Sequence, residues 1–381
     1  MRIITDQKLS ALTADLASRG ADVLLISDFE SNRNKNLRYV SGHPSDAHLL
    51  LFQDGSMTLI PWDQVMARQM AQVDVVLDIA NFDRSYRAAV SSALRQKLGD
   101  RFTLEVLPNE KHFTVLDLQD EFPQAKFICR PDGADAGLIR ARSTKTPQEI
   151  AILREGARVT DDIINLIRPF VEEHRGLKEI DLAIYLEVEM RRRGAEGVSF
   201  ETLTANRDRS GMIHQVPPTS DAQLDLPGLA LIDMGLWWKG YATDVTVPLI
   251  FGQLPPEQQA IVDATQRAYD KAISLIKPGA LAHEIADAAI TVIEQAGLNM
   301  PYSLGHGIGL EVHDPPFLRR KPTDPNMLKY WKPIVLEPGM VFTVEPGVVH
   351  TTLGGCRLEN DVVVTGSGVE EITHSHVIQF K

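Results

Sequence analysis

Residues 304–316 read LGHGIGLEVHDPP, a glycine-rich segment that holds two histidines, His306 and His313. The glycines around the first histidine allow its backbone to approach a neighbouring group closely. Residues seven positions apart in a straight strand point to opposite faces, so both imidazoles reach one site only if the chain bends or bulges here. A single buried histidine is more often structural, but two that flank such a turn favour a functional site.

Carboxylates lie in or beside apolar segments on both sides of this turn. Asp233 ends the strand candidate in LALIDMG (229–235), and Asp244 lies eleven residues later, inside the strand predicted over 243–250. Glu345 ends an apolar run, and Glu359 follows fourteen residues later. Taken alone, each aspartate is most simply a turn or capping residue. Strands seldom bury a bare carboxylate unless its charge is compensated, however, and that favours a shared site.

These residues and His306 form a set of four carboxylates and one imidazole. If they converged without a cation, the carboxylates would repel one another and take up protons. Divalent metal ions remove that repulsion, and an oxygen-rich set with one histidine suits Mn²⁺, Co²⁺, Fe²⁺ or Zn²⁺. Five such ligands are too many for one catalytic ion with an open position. The set therefore predicts two ions that share bridging carboxylates.

The strings GHGIGLEVH and TVEPG, with the order and spacing of the five ligand types, resemble the pita-bread metallohydrolases. This family contains aminopeptidase P, prolidase, methionine aminopeptidase and creatinase. The resemblance implies that Asp233 binds one metal, that His306 and Glu345 bind the second, and that Asp244 and Glu359 bridge the two. It implies two divalent ions per chain, with Mn²⁺ or Co²⁺ preferred and Zn²⁺ or Fe²⁺ as alternatives.

The resemblance also implies roles for residues around the metals. His214, nineteen residues before the first ligand, and His313 would contact the substrate and the tetrahedral intermediate. Glu345 would carry a proton between water and the leaving nitrogen. Arg357 would bind substrate; in a regular strand it lies on the same face as Glu359, two positions on. A surface-loop histidine is the alternative interpretation of His214.

The implied activity is hydrolysis of Xaa-Pro bonds by a dinuclear metallo-exopeptidase, either a dipeptidase (prolidase) or an aminopeptidase P-like enzyme. Two departures from the family pattern weaken the case for a proline-specific substrate: Val247 stands where an arginine is usual, and Asp314 replaces the usual glutamate. The same fold and metals acting on a small non-peptide amide, as in creatinase or ectoine hydrolase, is therefore the alternative. A non-catalytic binding module is a third hypothesis, disfavoured by the intact ligand set.

An extra segment, residues 317–337, separates the two parts of the ligand set. It carries several basic and aromatic side chains: Arg319, Arg320, Lys321, Tyr330 and Trp331. The segment is either a lid or substrate wall, or a surface excursion. A dipeptidase needs a cation for the carboxylate of its substrate, and the three basic residues here and Arg357 are the candidates.

The remaining sequence predicts two domains. Residues 1–142 alternate strand candidates with helices, which is typical of a compact α/β domain around a mixed sheet; the resemblance identifies it as a creatinase/prolidase-type N-terminal domain. A polar segment at 141–148, with Pro147 at a first helical turn, marks the boundary. Residues 143–381 are predicted to be α+β, with two pairs of helices segregated from a sheet, and the resemblance implies a pita-bread catalytic domain.

The composition excludes several classes of protein. Lys and Arg total 39 against 51 for Asp and Glu, a net charge of −12, which argues against binding to nucleic acid or to anionic membranes. Cys129 and Cys356 make neither a disulfide framework nor a cysteine zinc site. No apolar run indicates a signal peptide or a membrane span. We expect a cytoplasmic protein that acts on a peptide or small-molecule amide, and the resemblance implies a homodimer.

Overall fold

The structure is a computed structural model that describes residues 3–329 and 331–381, so that Tyr330 of the extra segment lies outside the described residues. The chain divides into two compact units, Met1–Ala141 and Arg142–Lys381. Over the described ranges, no helix is both long and apolar enough to cross a membrane.

The N-terminal unit is built around one mixed sheet. Its helices are α1 (Asp6–Ser18), α2 (Lys35–Ser41), α3 (Gln64–Met70), α4 (Tyr86–Leu98) and α5 (His112–Glu121). Helix α6 (Ala134–Ser143) begins in this unit, and its last two residues belong to the C-terminal unit. Its strands are β1 (Val23–Asp28), β2 (Ala47–Phe52), β3 (Met57–Pro61), β4 (Val75–Val76), β5 (Thr103–Val106) and β6 (Lys126–Ile128). The strands lie in the order β4-β3-β2-β1-β5-β6. Strand β1 is antiparallel to β2 and parallel to β5, so the predicted mixed sheet is confirmed.

Local sequence explains how this unit forms. Every residue of β1 is buried, as expected of a central strand that is covered on both faces. Strands β2 and β3 form an antiparallel hairpin, and Gly55 in its turn has a φ of 85°, which favours glycine. The Thr5 side chain caps α1 at its N-terminus.

The C-terminal unit combines helices with several sheets. Its helices are α7 (Pro147–Glu173), α8 (Glu179–Arg192), α9 (Pro256–Leu275), α10 (Ala282–Gln295) and α11 (Pro325–Leu328). Its first strands are β7 (Gly197–Val198), β8 (Leu203–Ala205), β9 (Gly228–Met234), β10 (Leu236–Trp238), β11 (Tyr241–Ala242) and β12 (Val245–Phe251). The later strands are β13 (Gly305–Gly307), β14 (Asp314–Leu318), β15 (Val341–Val344), β16 (Gly347–His350), β17 (Gly354–Arg357), β18 (Asn360–Val364), β19 (Val369–Glu371) and β20 (Ile378–Phe380).

Two sheets of this unit position the predicted metal ligands, β20-β12-β9-β8 and β14-β13-β15-β18-β19. The apolar faces of α7 and α8 share a core with β9, β12 and β20. Helices α9 and α10 share a second core with β15 and β18. Helix α7 begins at a capping box, in which Thr146 and Glu149 each satisfy the other's backbone N–H, with Pro147 in the first turn. The two predicted pairs of helices are present as α7 with α8 and α9 with α10, and the strand candidate in residues 229–235 is β9.

Two local predictions were wrong. Asp244 is not inside a strand: it lies directly before β12, where its backbone N–H donates to the Asp361 carboxylate instead of joining the ladder. Arg357 and Glu359 do not share one regular strand, because Arg357 ends β17 and Glu359 lies in the break before β18. In both places a side chain that lines the site lies next to the end of a strand. The alternation of side chains along a regular strand therefore does not determine its direction.

Candidate functional site

The side chains predicted as site residues line one cavity of about 480 Å³ in the C-terminal unit. It is lined by His214, Asp233, Asp244, His306, His313, Glu345, Arg357 and Glu359. Strand β9 and the residue before β12 supply the two aspartates, and the segments around β13 and β15 supply His306, His313 and Glu345. The end of β17 and the break after it supply Arg357 and Glu359, and the chain between β8 and β9 supplies His214. Residues up to 145 positions apart in the chain therefore meet in one place.

The geometry of His306 fits a metal ligand. The register of β13 against β14 shifts between His306 and Gly307, which is the irregularity that the glycines predict. The His306 Nδ1 atom lies 3.0 Å from the Gly307 carbonyl oxygen, so it carries the proton. The unprotonated Nε2 then faces Asp244 Oδ2 and Glu345 Oε1, each at 3.6 Å. Burial lowers the pKa of His306 to about 4, which keeps the ring neutral and able to bind a cation.

The carboxylates in this cavity destabilise one another's charged forms. Burial, then repulsion from Glu359 and Asp233, raises the pKa of Asp244 well above its ordinary value. Burial followed by the Glu359 charge does the same to the pKa of Glu345. Burial and the Asp233 charge raise the pKa of Glu359 to about 7. Such a cluster is stable in its ionised form only beside additional positive charge.

The atoms present fit a divalent cation. Asp244, His306 and Glu359 each offer a ligand atom, and these atoms all lie within 4.8 Å of one another. The Oδ1 atom of Asp233 is buried and has no hydrogen-bond partner among the described residues. A buried carboxylate oxygen without a partner is costly in a protein interior, and a metal ion would satisfy it. The individual ligand roles given above stay predictions.

Arg357 is held by the protein at each nitrogen of its guanidinium. Nε donates to Thr246 Oγ1 at 2.9 Å, Nη1 donates to the Ile213 carbonyl at 3.1 Å, and Nη2 donates to Asp233 Oδ2. This arginine therefore joins a predicted metal ligand to the loop that carries His214. Its substrate-binding role stays a prediction, and its contacts favour a supporting position over a free donor for substrate.

His214 and His313 lie beside the ligand set. The His306 and His313 rings are 4.2 Å apart between centroids, so the bend at the glycines brings both imidazoles to one face as predicted. Burial, then the charge of nearby His214, lowers the pKa of His313. A neutral His313 imidazole can donate or accept a hydrogen bond near neutral pH.

The extra segment contributes to the cavity only at its start. Phe317 and Arg319 line the cavity, and the Arg319 guanidinium carbon lies 4.5 Å from the centre of the Phe317 ring. Arg320 instead forms ion pairs with Asp287 and Glu294 of α10. The start of the segment thus lines the cavity and Arg320 contacts α10, while the role of the segment as a lid or substrate wall stays a prediction.

Two residues that were not predicted from the sequence also shape the site. Thr246 Oγ1 donates to Glu359 Oε2 at 2.7 Å and accepts from Arg357, so it orients both side chains. A signal existed, because Thr246 lies two positions after Asp244 and pairs with Asp233 across the sheet. Tyr302 also lines the cavity, and a Cβ at Gly347 would lie 2.1 Å from its hydroxyl. No pattern in the sequence marks this tyrosine.

With this geometry in place, comparison with known proteins identifies the family. The sequence model of metallopeptidase family M24 matches residues 151–366, more than half of the chain. The chain belongs to family M24. The match covers all five predicted ligands, and the chain is accordingly a hydrolase of a metal-dependent peptidase family.

Relatives within M24 align with both units. An Xaa-Pro dipeptidase of Pyrococcus horikoshii is 26% identical over 378 residues, which cover 97% of each chain. The structure of an Xaa-Pro dipeptidase from Bacillus anthracis superposes with a TM-score of 0.84 and 25% identity, covering 98% of this chain and 99% of that one. An X-Pro aminopeptidase structure from Thermotoga maritima gives a TM-score of 0.80 and 25% identity over 96% and 100% of the two chains. The predicted two-part prolidase-type fold is confirmed.

Proposed function

We propose that this M24 protein is an exopeptidase that hydrolyses the Xaa-Pro bond of dipeptides and uses two divalent metal ions. The observation that carries the proposal is the convergence of four carboxylates and His306 on one buried cavity. It is supported by end-to-end similarity to proteins named Xaa-Pro dipeptidase. The cavity, about 480 Å³, is of a size that suits a small ligand.

Five side chains would hold the ions: Asp233, Asp244, His306, Glu345 and Glu359. Bound divalent ions supply an activated water at neutral pH and polarise the carbonyl that is attacked. Mn²⁺ and Co²⁺ suit these ligands, with Zn²⁺ and Fe²⁺ as alternatives. Arg357 and Thr246 fix the orientation of two of the carboxylates, as the contacts described above require.

The chain's own residues would handle the charge and the proton. His313 or His214 donates a hydrogen bond to the scissile carbonyl oxygen as negative charge develops on it, and stabilises the transition state more than the substrate. Glu345 accepts the proton of the attacking water and delivers it to the prolyl nitrogen as the C–N bond breaks. The buried, repelled carboxyl of Glu345 binds a proton readily, which suits this transfer.

Arg319 favours a dipeptide over a longer peptide. Its guanidinium faces the cavity from the Phe317 ring, and no carboxylate pairs with it among the described residues. Arg357, the other arginine of the cavity lining, already donates to three protein acceptors. A substrate with its carboxylate one residue beyond the scissile bond would supply the partner that Arg319 lacks.

The test is hydrolysis of Ala-Pro and Ala-Pro-Ala by metal-stripped protein to which Mn²⁺, Co²⁺ or Zn²⁺ is added back. We expect metal-dependent cleavage of Ala-Pro. Cleavage of the tripeptide at an equal or higher rate would instead indicate an aminopeptidase P-like enzyme. Activity confined to non-peptide amides would contradict the proposal and support the creatinase-like alternative.

A matched pair of histidine variants separates the site from general effects. His306→Ala should abolish tight Mn²⁺ binding in calorimetry and abolish hydrolysis. His374→Ala is the control, because His374 pairs with Asp161 away from the cavity and is exposed. Equal losses in both variants would show that the cavity is not the metal site.

A further inference from the structure

A buried cluster of charged side chains contacts the loop that connects His306 and His313. Arg142 is 6% exposed, and its Nη2 atom lies 2.8 Å from Asp314 Oδ1 and 2.7 Å from Glu311 Oε2. Asp314, 1% exposed, is the residue that follows His313. Burial raises the pKa of Asp314, and the charges of Lys145 and Arg142 oppose that rise. One arginine therefore joins the middle of the loop to its end.

The backbone of the loop is shaped to receive this cluster. A Cβ at Gly309 would lie 2.9 Å from Asp314 Oδ2 and 3.2 Å from Lys145 Cε. A Cβ at Gly307 would lie 2.1 Å from the Pro315 carbonyl oxygen. The glycines let the chain fold back onto the Asp314 carboxylate. The loop is thus closed on one side by this carboxylate and its cationic partners.

We propose that Arg142, through Glu311 and Asp314, is a positioning group that fixes the His313 imidazole over the reacting carbonyl. Arg142 is not among the residues that line the cavity, and its guanidinium holds two residues of the loop that carries His313. The metal ligands have separate supports: His306 is held by Gly307 and the β13 ladder, and Asp233 is held by Arg357. The inference rests on the proposed peptidase function, since it concerns the group that stabilises the oxyanion.

If this cluster positions His313, weakening the cluster should change kcat. A misplacement of about 1 Å at a catalytic group can cost about a hundredfold in rate. Loosening the loop should therefore lower kcat and leave metal affinity unchanged. Glu311→Gln is the mild variant, because Glu311 is 42% exposed and the buried Arg142–Asp314 pair survives. We expect it to lower kcat on Ala-Pro about 3- to 10-fold, and Arg142→Lys to lower it by about tenfold or more.

A double-mutant cycle with His313→Ala tests whether the effect passes through His313. Residues that act through one group are not additive, so each loop variant should change kcat by less than about twofold once His313 is absent. Equal factors with and without His313 would overturn the proposal and leave the cluster a purely structural feature. Glu370→Gln is the control, since Glu370 forms a comparable but exposed pair with Arg154.

A second readout does not depend on activity. In protein labelled at histidine, the His313 ring signal is assigned as the one lost in His313→Ala. We expect this signal to be single and narrow in the wild type, and broadened or split in Glu311→Gln and Arg142→Lys. An unchanged signal in both variants would overturn the proposal. Wild-type protein that fails to cleave Ala-Pro would contradict the proposed function, yet this measurement would still report on the loop.

Discussion

Replacing Glu359 by glutamine is expected to stabilise the metal-free protein at neutral and alkaline pH. Burial and the Asp233 charge raise the pKa of Glu359 from an ordinary value of 4.5 to about 7. The folded chain therefore holds this proton more tightly than the unfolded chain does. As the pH rises from about 4.5 to about 7, the folded state loses roughly 3 kcal/mol of stability from this one group.

A glutamine at position 359 does not ionise, so the variant should not lose this stability as the pH rises. Its side-chain oxygen can still accept the hydrogen bond from Thr246 Oγ1, which lies 2.7 Å from the present carboxylate. Its amide can donate toward the repelling carboxylates. The variant should be more stable than the wild type by roughly 3 kcal/mol at pH 8 and about equally stable below pH 4.5.

The assay is urea denaturation of EDTA-treated protein at pH 4.5 and 8, followed by the fluorescence of the four tryptophans, three of which lie in the C-terminal unit. Glu370→Gln, which removes an exposed carboxylate, is the control. Saturating Mn²⁺ should reverse the ranking at pH 8, because glutamine is a weaker ligand than a carboxylate. A wild type and variant with the same pH dependence in EDTA would refute the electrostatic reasoning.

Other predictions concern the substrate, the metal, the packing and the assembly. Arg319→Met should raise KM for Ala-Pro by about 10- to 100-fold, because a charge-assisted hydrogen bond is lost, while hydrolysis of Ala-Pro-amide stays unchanged; equal effects on both substrates would contradict a carboxylate contact. Thr246→Val should weaken Mn²⁺ binding by about 10- to 100-fold in calorimetry, since Glu359 loses its orienting donor. Gly347→Ala should lower stability by about 1–3 kcal/mol in thermal unfolding, because the new methyl group meets the Tyr302 hydroxyl. The homodimer implied by the family resemblance stays a prediction, and light scattering at micromolar concentration tests it.

Much of the fold could be predicted because local signals agreed with the tertiary structure. The segment around Pro147 carries a capping residue, a first-turn proline and an apolar stripe, and α7 begins there. The hairpin of β2 and β3 is marked by a turn with Gly55 between two apolar runs. The residues that form each of these signals are close together in the sequence, so one sequence is enough to recognise them.

The site residues were recognisable by type and spacing, but their exact setting was not. Asp244 and Glu359 lie outside their strands because each is directed by partners far away in the chain, Asp361 and Thr246. Asp233 and Ile213, which accept hydrogen bonds from Arg357, lie more than 100 residues before it in the chain. Regular alternation along a strand describes none of these contacts, since they form only when separate segments pack together.

The order of the strands in the sheet that carries Asp233 sets a condition on when the enzyme becomes active during synthesis. Strand β12, which begins next to Asp244, pairs on one side with β9 and on the other with β20, residues 378–380. All five predicted ligands thus emerge from the ribosome before β20, the strand that completes the sheet carrying Asp233. A nascent chain would carry these carboxylates before that sheet is complete, so metal capture would follow the synthesis of β20.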